Sequence, residues 1–594
     1  MEVSGRPEIA ARFAWLLGLA LVCGCETATV APVPTESQQA EAVVGALDGV
    51  VSRTLCDGAG TFWLDGEPWY QAMTGRSTGV AGVIEGLVAG VDRLEALDAA
   101  TGEDHGADVA RYVSVVRSST QWLMAHARLD SDSGGVWWPA CVADVVPVGP
   151  EGAPCREEIP VVSEETLVCA EGTERARPGL RYGVAGIGAM FLDLYEHPFF
   201  SPDEQAVFLE YAAGAGDWLL GHASDTDHGP CWLDPASAEG DPGECATSLS
   251  RGLAGVGWFL LRLSRDVQEG ETYLGGAVAA ADTLQSFMVP AGDGAAYVLP
   301  GDREGGALTG FYEGNAGVAY FLMALYQETG RSAYGSLARS VLEWLQSDEV
   351  FVPALDGATW LAGLDLPHLG PYTGWELGAA GIGWTFLQAA RVFGPNPGTL
   401  ESSYLEVAMR AATWLTHPEI AHYYQGLVWW PERDQPWSDT PLPPAPRLDT
   451  LDTTWAPAVR PWWEGASSRG YLAYTGLLRG GVGIGWFLLN LADALEGVHE
   501  VSCEQALFAE AASQALRWLY YRGMPSGDRD TWTWPTSFYQ TVTARNYPGP
   551  ATPGFELGVS GALSFLGAGV VPPESAGLVA PAPLGFPPLE YPER

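Results

Sequence analysis

The chain has 594 residues and a formal net charge of −43, from 73 acidic and 30 basic residues, and every basic residue is an arginine. The absence of lysine excludes a phosphate-binding P-loop, Schiff-base chemistry and any lysine general base, and so acidic a chain should repel nucleic acid and anionic lipid headgroups. Apolar residues at 47% and charged residues at 17% describe a globular bulk rather than a disordered one.

In chain order, the first element is a processing segment. Arg6 and Arg12 flank an apolar run, Phe13 to Val22, too short to span a bilayer as a helix. It ends Val22-Cys23-Gly24-Cys25, which resembles a bacterial lipobox. That resemblance implies a signal peptide over 1–24, a lipid thioether on Cys25 and a polar tether over 25–37. The expected location is an exported bacterial lipoprotein, and Glu26 in place of Asp favours the outer membrane or cell surface.

One unit then recurs seven times: an amphipathic helix, a Gly/Asp-rich turn with an aromatic residue, Gly-x-x-Gly, and an apolar helix. The amphipathic helices are expected near 38–55, 108–127, 271–289, 333–348, 402–417 and 503–522, with one more starting at Ser201-Pro202-Asp203-Glu204, a capping box with proline at N1. The turns end at Trp63, Trp137, Trp232, Tyr297, Trp360, Trp429 and Trp532. The Gly-x-x-Gly motifs start at Gly79, Gly183, Gly252, Gly314, Gly378, Gly480 and Gly558. Because the second helices are apolar nearly all round, they form an inner ring, and the amphipathic ones an outer ring. The predicted fold is all-α: an α/α toroid of seven helical hairpins over 38–568, without strands. Two insertions, 139–180 and 431–475, fall on the mouth side as candidate lids, and a Pro-rich tail follows over 569–594.

Seven in-register repeats, the Gly-x-x-Gly motif and the aromatic turn before it resemble the lanthionine synthetase C-like (LanC-like) family over about 40–568. Six-hairpin glycosidases share the plan but have one repeat fewer. The resemblance implies an α/α toroid whose active members hold zinc at the mouth, where it activates a thiol for addition to a dehydroamino acid. The family's zinc ligands are a Cys two residues before the first Gly of one late repeat and a Cys-His pair just before that of the next. The matching pairs here are Ser77-Thr78, Arg181-Tyr182, Ser250-Arg251, Tyr312-Glu313, Glu376-Leu377, Leu478-Arg479 and Glu556-Leu557, without Cys or His. The chain therefore reads as a divergent member without that zinc site, for which zinc-dependent cyclisation is not expected and no cofactor is called for.

Glu313, Glu376 and Glu556 stand where the family places its chemistry, opposed by Arg181, Arg251 and Arg479 at the N-terminal ends of other inner helices. One reading is a polar cup that binds a peptide or glycan, lined by Tyr182, Tyr312, Trp375 and the turn residues Trp137, Trp232, Trp360, Trp429 and Trp532. The other is a set of mutually neutralising salt bridges that holds the ring closed, with the tryptophans plugging the turns between ring layers. A carboxylate pair also suggests glycoside hydrolysis, for which Glu376 and Glu556 are the candidates and Glu313 the reserve. Cys56, Cys141, Cys155, Cys169, Cys231 and Cys245 share the mouth face and suit up to three disulfides of an oxidising compartment, while Cys503 lies at the opposite face. His228-Gly229-Pro230-Cys231 offers an H-x-x-C alternative for a relocated metal, which would keep thiol-addition chemistry.

Overall fold

The computed structural model describes residues 34–64, 72–77, 79–142, 169, 175–234, 243–268, 270–297, 307–364, 371–395, 399–424, 427–430, 473–474, 480–496, 501–522, 524–525, 532–533, 537–538 and 589. Among the described residues seven outer helices alternate with six inner ones. They are α1 (Glu36–Val51), α2 (Val80–Thr101), α3 (Gly106–His126), α4 (Val184–Tyr195), α5 (Pro202–Gly221), α6 (Leu253–Asp266) and α7 (Gly270–Ser286). The series continues with α8 (Asn315–Thr329), α9 (Ser332–Leu345), α10 (Ala379–Phe393), α11 (Ser402–Leu415), α12 (Gly481–Ala494) and α13 (Ser502–Arg522). The inner helix expected after Gly558, with Glu556 and Arg479, lies outside the described residues, as do Cys25, Cys155, the signal peptide and the 431–472 part of the second insertion.

The inner helices α2, α4, α6, α8, α10 and α12 pack side by side in that order, each also against its outer partner. The outer helix starting at Pro202 has the predicted cap: Ser201 accepts from the N–H of Glu204, whose carboxylate accepts from the N–H of Ser201. Helix α1 starts at Glu36 behind a Thr35 capping box, so the ordered toroid begins inside the segment read as a tether.

The expectation of no strands is corrected. Every aromatic turn is a short antiparallel hairpin, from Leu55–Cys56 with Thr61–Phe62 in the first repeat to Met524–Pro525 with Trp532–Thr533 in the seventh. Runs of two to four residues are too short to show a period of two in the sequence. Each hairpin packs on the outer helix of the following repeat, and the seventh packs on α1, which closes the ring.

A single contact explains why these turns carry tryptophan. The indole Nε1 of Trp63, Trp138, Trp232, Trp360 and Trp430 donates to the carbonyl of Val50, Leu123, Leu219, Leu345 and Leu415, at 2.6–2.9 Å. Each acceptor lies in the last turn of the outer helix of the same repeat, where carbonyls have no intrahelical partner. In the two Trp-Trp pairs the capping residue is therefore Trp138 and Trp430, one position after the residues picked from the sequence.

The fourth repeat has Tyr297 in this role. It is buried and its hydroxyl finds no partner among the described residues. Its backbone is instead held by Asn315, which accepts from the Tyr297 N–H at 2.7 Å and donates to its carbonyl at 3.1 Å. Trp360→Phe should lower the unfolding free energy by at least about 1 kcal/mol, the worth of one hydrogen bond, with ring loss in addition. Tyr297→Phe should be neutral or stabilising, because it removes a buried hydroxyl without a partner. Urea unfolding of the two variants checks both; equal losses would refute the contrast.

Candidate functional site

The mouth is built from a repeated backbone contact. The residue two before the first glycine donates its N–H to the carbonyl of its counterpart in the next repeat. Ser77 donates to Arg181 at 3.0 Å, Arg181 to Ser250 at 2.9 Å, Ser250 to Tyr312 at 3.0 Å and Tyr312 to Glu376 at 3.1 Å. Such approach excludes a side chain four residues before the motif: a Cβ on Gly179 would overlap the backbone of Ser250 and Arg251. The second glycine of the motif has a different reason. A Cβ on Gly381 would overlap the carbonyl oxygen of Trp375, so this glycine lets each inner helix start tight against its own turn.

On this belt Arg181 reaches across the ring. Its Nη1 lies 3.2 Å from Glu313 Oε1 and 2.9 Å from Glu376 Oε1, joining the second repeat to the fourth and fifth. Its Nε donates to Ser77 Oγ at 3.4 Å and its guanidinium sits 5.1 Å from the Tyr182 ring. Arg251 approaches Glu313 Oε2 only to 3.7 Å and keeps a side chain 42% exposed. Glu376 is 4% exposed at its side chain. Of the predicted cup, the structure thus brings together Arg181, Tyr182, Arg251, Glu313 and Glu376, with Tyr312 buried in the belt beside them. Trp375 is fully buried, edge-on to Phe311.

The predicted tryptophan rim is corrected in part. Trp232 and Trp360 are buried with their indoles on helix ends, so they face the ring wall rather than a ligand. Trp137 is half-buried under the guanidinium of Arg128 at 5.0 Å. Trp429 and Trp532 lie in hairpin strands, and their side chains are outside the described residues.

Cysteines follow the oxidising reading. Cys141 pairs with Cys169, pinning the first insertion, and Cys231 pairs with Cys245. Cys56 is disulfide-bonded too, and Cys503 is free and exposed. The H-x-x-C metal alternative is thereby overturned, since the Cys231 sulfur is already bonded. At the mouth, the guanidinium of Arg181 touches Glu313 and Glu376, a cation where a metal would have to sit, so these residues do not fit zinc. Among the described residues no group of three His, Cys, Asp or Glu is placed to hold a metal ion.

Beneath the mouth runs a second charged line that sequence reading missed, having taken the inner helices as apolar nearly all round. Arg76 is buried and meets Glu85 of α2 through Nε at 2.8 Å and Nη2 at 2.7 Å, and Asp193 of α4 at 3.5 Å. Arg262 of α6 meets Asp193 from the other side at 2.9 Å. The signal was available: aligned in repeat register, Asp193, Arg262, Gln388 and Asn490 all stand ten residues after the first glycine.

These features define an α/α toroid of seven repeats with an arginine-bridged mouth. Residues 237–500 match the family model of the lanthionine synthetase C-like protein. No curated protein matches the sequence. Among solved structures, a sugar epimerase from a ruminal bacterium is similar at 12% identity and a TM-score of 0.40, over 64% of this chain and 85% of its own. An α-1,6-mannanase from Salegentibacter sp. is similar at 14% identity and a TM-score of 0.36, over 67% and 89%. An unsaturated glucuronyl hydrolase from Bacillus sp. is similar at 15% identity and a TM-score of 0.37, over 64% and 84%. No activity transfers at this level of similarity. Among the described residues no helix is long and apolar enough to cross a membrane, and the disulfides suit an extracellular environment.

Two outcomes follow from the charged lines. Arg181→Met leaves two carboxylates without their shared cation and should cost about 3 kcal/mol in chemical unfolding. Burial pushes the Glu85 carboxyl up from its ordinary 4.5 to about 8, against the pull of Arg76. A raised folded value means a contribution present in full below 4.5 and lost as pH rises through about 8. Melting temperatures across that window should fall more steeply for the parent than for Glu85→Gln; parallel curves would contradict the assignment.

Proposed function

We propose that this chain is an exported LanC-like binding protein, tethered by lipid on Cys25, that holds a peptide or glycan in its mouth without zinc-dependent cyclase chemistry. The observation that carries the reading is the division of labour among the mouth arginines. Arg181 is tied to two carboxylates, whereas Arg251 lies 3.7 Å from Glu313 and keeps a side chain nearly half exposed. A planar guanidinium of this kind suits bidentate recognition of a carboxylate, and the Tyr182 ring, 5.1 Å from the Arg181 guanidinium, adds an apolar or sugar-stacking face to the mouth.

Isothermal titration of the mature protein with acidic peptides and acidic oligosaccharides tests this. Arg251→Ala should weaken binding about tenfold or more, the range for a charge-assisted hydrogen-bonded contact. Binding unchanged in both Arg251→Ala and Glu376→Gln would refute it.

A hydrolytic reading has one specific support: Glu313 and Glu376 approach the same guanidinium nitrogen, which keeps two carboxylates close together at the mouth. It requires turnover of a glycoside that Glu376→Gln abolishes. A broad chromogenic panel without turnover would remove it, and leave the binding reading intact.

A further inference from the structure

Gln388 lies on α10 two residues after Phe386, whose ring stacks on Trp360 and meets Tyr404 of α11 on the outer side. At about 100° per residue, Gln388 projects from the opposite face, toward the ring axis. It is fully buried there. A buried primary amide needs an acceptor for its N–H groups and a donor for its oxygen. Its Oε1 accepts the backbone N–H of Leu589 at 2.8 Å, 201 positions further along the chain. Leu589 is itself only 6% exposed and belongs to the hydrophobic core. The Nε2 of Gln388 has no acceptor among the described residues.

We infer that the axial shaft of the toroid is a binding site for an extended peptide bearing an aliphatic side chain, and that Leu589 of this chain occupies it as an intramolecular ligand. Gln388 reads main chain: its oxygen takes an N–H, and its Nε2 protons suit a carbonyl of the same backbone, much as a neighbouring strand would. One helical turn before it stands Trp384, fully buried, and the same register position holds Trp258, Tyr320 and Trp486 in the other inner helices. These rings give the shaft an apolar wall for an aliphatic side chain. A backbone N–H is what the amide holds, which favours peptide over glycan. The inference goes beyond the mouth reading and stands on different residues, so either can fail without the other.

The test is fluorescence anisotropy of a labelled synthetic peptide with the sequence of residues 584–594, added to the full mature chain. The parent should bind it poorly, because a tethered Leu589 competes at a local concentration on the order of millimolar. Leu589→Asp should bind it at least about tenfold more tightly, and Leu589→Ala, a milder change for the fold, should move the same way. A peptide carrying the Leu589→Asp change should not bind. Adding Gln388→Ala to the Leu589→Ala chain should weaken binding about fivefold, as expected for one neutral hydrogen bond. Failure of Leu589→Ala and Leu589→Asp alike to gain peptide binding, or equal binding of both peptides, would overturn the inference.

Discussion

The architecture depends on one hydrogen bond repeated along the described mouth, from the residue two before a Gly-x-x-Gly to its counterpart in the next repeat. Side chains are incidental to that bond, so it constrains the backbone and leaves the residue type at the position open. It requires two neighbouring turns to touch, which is why a Cβ at Gly75, Gly179 or Gly310 would collide with the following repeat. The consequence is a ring of positions at one end of the inner helices whose chemistry can change without changing the fold. Here that ring reads Ser77, Arg181, Ser250, Tyr312 and Glu376 over the repeats described. The family resemblance places zinc ligands on the same ring, and a salt-bridged cluster stands here in their place.

Two charged lines then cross the ring at different depths, and both use arginine where a chain without lysine has no other strong cation. The choice has physical content. A guanidinium offers five donors in a rigid fork, so Arg181 serves two carboxylates from non-adjacent repeats and Arg76 serves Glu85 while nearing Asp193. Partly buried ion pairs are weak sources of net stability, because desolvation offsets most of the Coulomb attraction. Their contribution here is better understood as register. A carboxylate in the fifth repeat that must meet a guanidinium from the second penalises a ring closed with a repeat out of place.

What could be read from the sequence followed periodicity. The seven units, the order of outer and inner helices and the Ser201 cap were all legible, because each is a local pattern repeated at a long period. The mouth members Arg181, Arg251, Glu313 and Glu376 were legible for the same reason, as residues one or two positions before a recurring glycine. The hairpins were not, since strands of two to four residues carry no measurable alternation. Trp137 and Trp429 were misplaced by one position, because in a Trp-Trp pair only the three-dimensional reach to a helix end decides which indole caps it. The inner charges escaped because single polar residues, such as Asp193 of α4, stand among runs of apolar ones. Window by window such a helix reads as apolar, whereas stacking the repeats shows the polar positions in register.

The same stacking separates Gln388 from its counterparts. Asp193 and Arg262 satisfy each other across adjacent helices, and Asn490 turns its Nδ2 back onto the Trp486 carbonyl of its own helix at 2.9 Å. Gln388 does neither. Its oxygen is held by a residue far along the chain, and its amide protons have no acceptor among the described residues. Burying a polar group half-satisfied costs on the order of 1–3 kcal/mol. An apolar residue at this point would avoid the cost, as Ala324 does at the matching position of α8. The axial position of Gln388 is therefore accounted for by what it contacts in the shaft, not by the packing of the toroid around it.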